Sequence, residues 1–159
     1  MYKYFHHNKE YIQHLFDGDV PVKLSERTAV QVRQGDYYKF PDHHPQLSPD
    51  YFMAAAKITG ATEIDVYTDD IQWCQNYLFF GVSTYYPLTG NEDWQDLLDM
   101  RGYKNLIISN SSFGWWGAYL NTRLDKKVYV PSIWFGRAMV AEGFNIDDLV
   151  LPDWEKIKI

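Results

Sequence analysis

The chain has 159 residues, of which 46% are hydrophobic and 18% aromatic, and its formal net charge is −6. This composition excludes a disordered chain, and the negative charge argues against nucleic acid or an anionic membrane as an electrostatic partner. A chain of this length is expected to form one globular domain over 1–159. Because no segment approaches the roughly 20 apolar residues of a membrane span, and Cys74 has no second cysteine to pair with, we expect that domain to be cytoplasmic.

Apolar segments rich in β-formers alternate along the chain with segments of helical periodicity. This alternation is typical of an α/β fold with an open parallel sheet and crossover helices. The predicted strands are 28–33, 63–68, 82–86, 105–109 and 127–131, and the predicted helices are 8–17, 49–59, 70–79, 92–101 and one that starts near Ser112.

Helix-terminal residues support three of these helices. Ser48 is a predicted N-cap before Pro49, and Gly60 is suited to end that helix. Asp70 and Asn91 are the predicted caps of the next two helices. In open α/β sheets ligands bind at the carboxyl ends of the strands, so the polar loops after three of the strands become the candidate site.

The first of these loops follows the segment "VQVRQGDYY". Strand alternation places Gln31 and Arg33 on one face and Val30 and Val32 on the other. The planar guanidinium of Arg33, at the carboxyl end of the strand, suits a phosphate bound in a cleft. An ion pair of Arg33 with Asp36 that caps the turn on the surface is the alternative, and the spacing does not decide between them.

Two carboxylates, Asp69 and Asp70, end the second strand. One can cap the following helix while the other faces the sheet edge, where it could accept hydrogen bonds from ribose hydroxyls or from the N–H groups of guanine. Helix capping alone is the simpler explanation. No acidic or histidine cluster of ligand spacing accompanies the pair, so we predict no metal site.

The third loop is the segment "SNSSFGWWGAYLN", in which a strand leads through a polar turn into a helix. The free N–H groups and the dipole of a helix N-terminus favour an anion, and the hydroxyls of Ser111 and Ser112 add donors, so a diphosphate would fit. A serine cap on a buried helix is the alternative. Trp115 and Trp116 are predicted to be packing residues.

The segments "QVRQGDY", "TDDIQW" and "NSSFGWWGAYLN" occur in this order. They resemble the motifs "H-x-R-R-G-D-Y", "S-D-D-x-x-W" and "N-S-S-F-S-W-W-G-A-W-L-N" of the α-1,2-fucosyltransferases of glycosyltransferase family 11. The resemblance covers residues 2 to 156. It implies a Rossmann-like sheet of about five strands with helices on both faces, corresponding to the C-terminal, donor-binding half of a GT-B enzyme, with the N-terminal acceptor domain absent.

The resemblance also implies roles for individual side chains. Arg33 would hold the β-phosphate of GDP-fucose, Asp69 or Asp70 would bind guanine, and Arg33 and Asp36 would serve the transfer of fucose with inversion. The residues expected to bind the sugar donor are Gln31, Arg33, Asp69, Asp70, Asn110, Ser111, Ser112 and Phe113. Two positions depart from the family, because Gln31 replaces its histidine and Gln34 its second arginine.

We therefore expect a metal-independent fucosyltransferase-like protein with no cofactor, whose partners are a GDP-sugar donor and a glycan acceptor. A homo-oligomer or a separate acceptor-binding chain could supply the missing wall of the active site. The alternative is a nucleotide-sugar or carbohydrate-binding module with little catalysis. An unrelated α/β nucleotide-binding protein, or a fragment that acts in an assembly, is the remaining hypothesis.

Overall fold

The computed structural model describes residues 2–17, 21–78, 82–87 and 93–158. Its strands are β1 Ser25–Val32, β2 Glu63–Thr68, β3 Val82–Pro87, β4 Tyr103–Ile108, β5 Lys127–Pro131 and β6 Glu155–Ile157. Its α-helices are α1 Lys9–Asp17, α2 Pro49–Thr59, α3 Ile71–Tyr77, α4 Asp93–Asp99, α5 Ser112–Leu120 and α6 Arg137–Ala141. Short 3-10 helices occupy Tyr2–Tyr4, His6–Asn8, Gly35–Lys39 and Met100–Gly102.

The strands described by the structure form one parallel sheet in the order β3-β2-β1-β4-β5-β6. The predicted parallel α/β sheet is thus confirmed, with a sixth strand added at one edge. Strand β6 has only three residues, two of them charged, so no apolar periodicity marks it in the sequence. It is a strand because Glu155 pairs with Tyr129 of β5, a contact that only the tertiary structure creates.

Apolar side chains cover both faces of the sheet, as the predicted helices on both faces require. On one face, Leu106 of β4 packs in a cluster with Trp115 of α5. On the other face, Val30 of β1 packs in a second cluster with Phe52 of α2. Cys74 is buried in the second cluster.

The caps of the helices follow the sequence prediction only in part. Asp70 Oδ1 accepts a hydrogen bond from Trp73 N at 2.8 Å, as predicted for a cap of α3, and Gly60 ends α2 at a left-handed φ of 64°. Ser48 occupies the N-cap position of α2, as predicted, but its side chain makes no cap hydrogen bond. The backbone starts α2 instead, through Pro49 and the Tyr51 N–H bond to Ser48 O. Asn91 and the predicted helix ends at 79 and 92 lie outside the described residues.

The long loop after β1, residues 34–47, contains the 3-10 helix Gly35–Lys39 and docks on the segment that follows β5. Gly136 N donates to His43 O at 2.8 Å. A Cβ at Gly136 would lie 2.2 Å from Asp42 O, so this close approach of two backbones requires glycine. The contact fixes the loop after β1 over the carboxyl edge of the sheet, by which we mean the edge formed by the carboxyl ends of its strands.

Candidate functional site

Three polar segments meet at the carboxyl edge, after β1, β2 and β4. Arg33 follows β1 directly, Asp69 and Asp70 follow β2, and the turn of residues 110–112, here called the serine turn, joins β4 to α5. Because β1 lies between β2 and β4 in the sheet, Arg33 has the two carboxylates on one side and the serine turn on the other. The edge predicted from the strand pattern is therefore assembled by the fold.

The guanidinium of Arg33 contacts two carboxylates. Its Nη2 lies 2.8 Å from Asp36 Oδ1, and its Nη1 lies 3.2 Å from Asp69 Oδ2. The ion pair of Arg33 with Asp36 is the alternative that the sequence left open, and it is present. The side chains of Arg33 and Asp36 are 33% and 56% exposed, so this pair is worth no more than about 1 kcal/mol. A competing anion could displace Asp36 at little cost.

Asp69 is more firmly held and organises the start of the loop. Its Oδ1 accepts a hydrogen bond from Gln34 N at 3.0 Å, and a Cβ at Gly35 would lie only 2.1 Å from its Oδ2. Glycine at position 35 therefore lets the carboxylate approach the turn. With Asp70 capping α3, the two carboxylates divide their tasks as the sequence predicted.

Tyr37, for which the sequence predicted no role, contacts both sides of the edge. The Arg33 guanidinium carbon lies 5.6 Å from the centre of its ring, and its hydroxyl donates to Asn110 O at 3.0 Å. Burial raises the pKa of Tyr37, and the charge of Arg33 opposes that rise. The Arg33 side chain makes no hydrogen bond to the serine turn in the described part of the chain, so Tyr37 connects the two.

The serine turn leaves the N-terminus of α5 open. Trp115 N donates to Ser111 O at 3.0 Å, but the Ser111 side chain makes no cap hydrogen bond. The serine-cap alternative is thus not observed. The backbone N–H groups of Ser112, Phe113 and Gly114 have no acceptor among the described residues, and Ser112 is exposed. The motif predicted a helix N-terminus of this kind, and the binding of an anion to it stays a prediction.

Gln31 lies beneath this edge, fully buried between β1 and α5. Its Oε1 accepts a hydrogen bond from Ser109 N at 3.2 Å, and a Cβ at Gly114 would lie 2.5 Å from the same oxygen. Ser109 Oγ also accepts a hydrogen bond from Arg33 N at 3.0 Å. Gln31 and Ser109 therefore position the strand ends and α5, and direct contact of Gln31 with a sugar donor stays a prediction.

Asn110 is also buried and connects the loops above the edge. Its Nδ2 donates to Pro45 O at 3.0 Å and to Trp134 O at 3.1 Å. One side chain of the serine turn thus holds the loop after β1 and the segment after β5. The donor-binding roles of Asn110 and of the other predicted residues stay predictions.

The tryptophans after the serine turn are packing residues, as predicted, with Trp115 in the core and Trp116 partly buried against it. Trp115 stacks on Tyr119 with ring centres 4.8 Å apart, and its Nε1 donates to Leu149 O at 2.6 Å. Trp116 stacks on Phe5, with ring centres 5.5 Å apart and ring planes 16° apart. Both residues fix the orientation of α5 and so the direction in which its N-terminus points.

The aromatic side of the site was not predicted from the sequence. Trp134 and Phe135, after β5, lie close to Tyr37 and His44 of the loop after β1, around a cavity beside Ser112. The signal was present, because β5 ends at the same edge as β4 and the aromatic segment "SIWF" follows it directly. Among the described residues, no group of three or more His, Cys, Asp or Glu could hold a metal ion, and no helix has the length and apolarity needed to cross a bilayer.

An open parallel sheet that gathers an arginine, carboxylates and a free helix N-terminus at its carboxyl edge defines a Rossmann-like α/β protein. The fold defines only this broad class, whereas similarity to known sequences identifies a family. The chain belongs to glycosyl transferase family 11, whose family model matches residues 5–158. This confirms the family inferred from the three motifs.

Two curated relatives come from Escherichia coli. The O-antigen biosynthesis glycosyltransferase WbnK is 34% identical over 137 residues, which cover 80% of this chain and 43% of the relative. An alpha-1,2-colitosyltransferase is 27% identical over 177 residues, which cover 98% of this chain and 59% of the relative. The chain thus spans about half the length of these relatives. No solved structure gives a significant match.

Proposed function

We propose that this family 11 chain binds GDP-fucose at its carboxyl edge and serves the transfer of fucose, with inversion and without a metal ion, to a hydroxyl of a glycan. One observation carries the proposal. Arg33 and the open N-terminus of α5 lie on two sides of Tyr37, which contacts the Arg33 guanidinium and the serine turn. A diphosphate held between them would meet a guanidinium on one side and backbone N–H groups on the other.

The electrostatics of the edge favour the exchange of a carboxylate for a phosphate. Arg33 with Asp36 and Asp69 forms a cluster with one more negative than positive charge, so an anion must displace a carboxylate. Asp36 is the one to leave, because it is more than half exposed, whereas Asp69 is held by Gln34 N. The exchange costs about 1 kcal/mol or less, which a bidentate bond from Arg33 to phosphate can offset.

The base of the nucleotide would lie at the end of β2. Guanine presents paired N–H donors that Asp69 or Asp70 could accept. Asp70 Oδ1 is occupied by Trp73 N in capping α3, which leaves its second oxygen for a ligand. The proposal therefore orders the nucleotide along the edge, with the base near β2 and the phosphates between β1 and β4.

The transfer step places charge on the leaving group. The acceptor oxygen forms a bond to C1 of fucose as the bond from C1 to the β-phosphate oxygen breaks, and its electron pair leaves with GDP. Arg33 and the N–H groups of α5 would stabilise that charge. The acceptor hydroxyl must also lose its proton to a base, and Asp36 is the exposed carboxylate beside Arg33 that we assign to this role.

The test is calorimetric titration of the full chain with GDP, GDP-fucose and UDP, paired with an assay of donor hydrolysis or transfer. We expect selective binding of the two guanine nucleotides. Arg33→Ala should remove about 3 kcal/mol of transition-state stabilisation, which lowers the turnover rate more than a hundredfold. Lys57→Ala, which removes one exposed positive charge on α2, is the matched control and should behave like the parent. Failure of the parent to bind any nucleotide would refute the proposal.

A nucleotide-sugar binding module with weak catalysis is the second candidate, and the burial of two glutamines favours it. Gln31 is enclosed under α5, and Gln34 Nε2 donates to Leu47 O at 3.0 Å inside the loop. Neither glutamine supplies the positive charge that the family's histidine or second arginine could carry at the edge. Binding of GDP-fucose without turnover, in the presence or absence of glycan acceptors, would decide for this candidate.

Further expectations accompany the proposal. The second wall of the active site would come from a separate acceptor-binding chain or from another copy of this chain, which sedimentation at several concentrations would detect. A cytoplasmic location, a single domain over 1–159 and independence from cofactors stay predictions.

A further inference from the structure

A cavity of about 210 Å³ lies beside the N-terminus of α5. Its wall comes from three segments that the fold brings together: the loop after β1, the start of α5, and the segment after β5. We call it the aromatic cavity, and the side chains that matter here are Tyr37, His44, Asn110, Ser112, Trp134 and Phe135.

The volume of the aromatic cavity restricts its occupant. Pockets that enclose whole drug-sized ligands measure about 300–1,000 Å³. At about 210 Å³ this cavity is smaller, so it has room for one ring and not for a nucleotide-sugar. The ligand it takes is therefore a single ring, or one end of a longer molecule that continues along the carboxyl edge.

The chemistry of the wall suits a sugar ring. Tyr37 and His44 stack with ring centres 4.8 Å apart and ring planes 21° apart, so each ring covers one face of the other and an outer face of the pair is the flat aromatic surface that a ligand can contact. The C–H face of a pyranose can pack against such a surface, while its hydroxyls need a few polar partners at the rim. Ser112 supplies an exposed hydroxyl on the side of the serine turn.

Asn110 gives the cavity a fixed shape and an unused acceptor. It is 2% exposed, and its two hydrogen bonds to Pro45 O and Trp134 O hold the opposite walls together. Its Oδ1 is buried and has no hydrogen-bond partner in the described part of the chain. A buried acceptor without a partner is costly, and this oxygen lies in the wall itself, beneath its accessible surface.

The order of the strands indicates which sugar ring is bound. Along the edge the strands run β2, β1, β4, β5, and the proposed function places the base at β2 and the diphosphate between β1 and β4. The aromatic cavity lies beyond the serine turn, between the ends of β4 and β5. The glycosyl group is attached to the second phosphate, at the end of the diphosphate away from the base. It therefore lies on the β4 side of the edge, next to the aromatic cavity.

We propose that the aromatic cavity is the subsite for the glycosyl ring of the nucleotide-sugar donor. The inference rests on the proposed function. It adds His44, Trp134 and Phe135 as residues that select the donor by the sugar it carries. A 6-deoxy sugar suits the cavity, because its methyl group packs on aromatic side chains without needing a hydrogen bond.

The test compares the affinities of the full chain for GDP and for GDP-fucose by calorimetry, in the parent and in Phe135→Ala and His44→Ala. We expect both variants to bind GDP as the parent does and to bind GDP-fucose about tenfold more weakly than the parent. Tyr38→Ala is the matched control, since Tyr38 is an exposed neighbour on the same loop that does not line the cavity. Phe135→Leu keeps an apolar side chain and serves if Phe135→Ala does not fold.

The outcomes separate the two proposals. If the parent binds neither GDP nor GDP-fucose, the proposed function and the subsite both fail. If the parent binds both, but the variants weaken GDP and GDP-fucose equally or weaken neither, the subsite alone is wrong. A weaker affinity of the variants for GDP-fucose, with their affinity for GDP unchanged, supports the assignment.

Discussion

The close approach of Asp69 to the turn after β1 gives a specific prediction for Gly35→Ala. The added Cβ would lie 2.1 Å from Asp69 Oδ2, whereas ordinary contacts begin near 3.4 Å, so the carboxylate must retreat by more than 1 Å. A carboxylate is the far end of a flexible side chain and could move cheaply if it were free. Asp69 is not free, because Gln34 N and Arg33 both bind it.

The cost follows from the contacts that the movement breaks. The hydrogen bond from Gln34 N measures 3.0 Å and would lengthen beyond bonding distance. A hydrogen bond to a charged group contributes about 1.5–3 kcal/mol, and the partly exposed ion pair with Arg33 adds about 0.2–1 kcal/mol. We therefore expect Gly35→Ala to lower the free energy of unfolding by about 3 kcal/mol. For a chain of this size the melting temperature should fall by about 6–12 °C.

A double-mutant cycle measured by urea unfolding tests this cause. Asp69→Ala should itself cost about 2 kcal/mol, since Gln34 N loses its acceptor. In that background Gly35→Ala should add less than about 0.5 kcal/mol, because the clash is gone. Gly60→Ala is the control: its cost comes from the φ of 64° with no neighbour near the added Cβ, so it should add fully to Asp69→Ala. Additive losses for Gly35→Ala and Asp69→Ala would refute the reasoning.

Three further predictions concern the same structure. Asp70→Ala should lower the free energy of unfolding by about 1 kcal/mol, whereas Ser48→Ala, whose side chain caps nothing, should change it little; equal losses in urea unfolding would contradict this. Asp36→Asn should leave GDP affinity unchanged or up to about fivefold higher, since it frees the guanidinium, and yet lower turnover; weaker GDP binding in calorimetry would count against it. Burial raises the pKa of the Cys74 thiol to about 11, so Ellman's reagent at pH 8 should react with it only after unfolding, and rapid reaction of the native chain would disprove its burial.

The fold class could be predicted from the sequence because it depends on local patterns. The apolar runs of β1, β2, β4 and β5 and the helical period between them are visible without any partner, and parallel strands with crossover helices follow from their alternation. The three motifs were equally local, and they placed Arg33, the two aspartates and the serine turn at one edge. The family was inferred from the same three motifs, and the family model matches residues 5–158.

The sequence by itself determined which chemical groups stand at the carboxyl edge, since the carboxyl end of each strand is fixed by where its apolar run stops. Only the tertiary structure decided what those groups contact. Arg33 could have bound Asp36 alone, but the packing of β2 beside β1 brought Asp69 to it as well. The burial of Gln31, the position of Tyr37 and the aromatic cavity depend on residues far apart in the chain. Such contacts are set by the strand order and by the docking of loops, and neither leaves a periodic signal in the sequence.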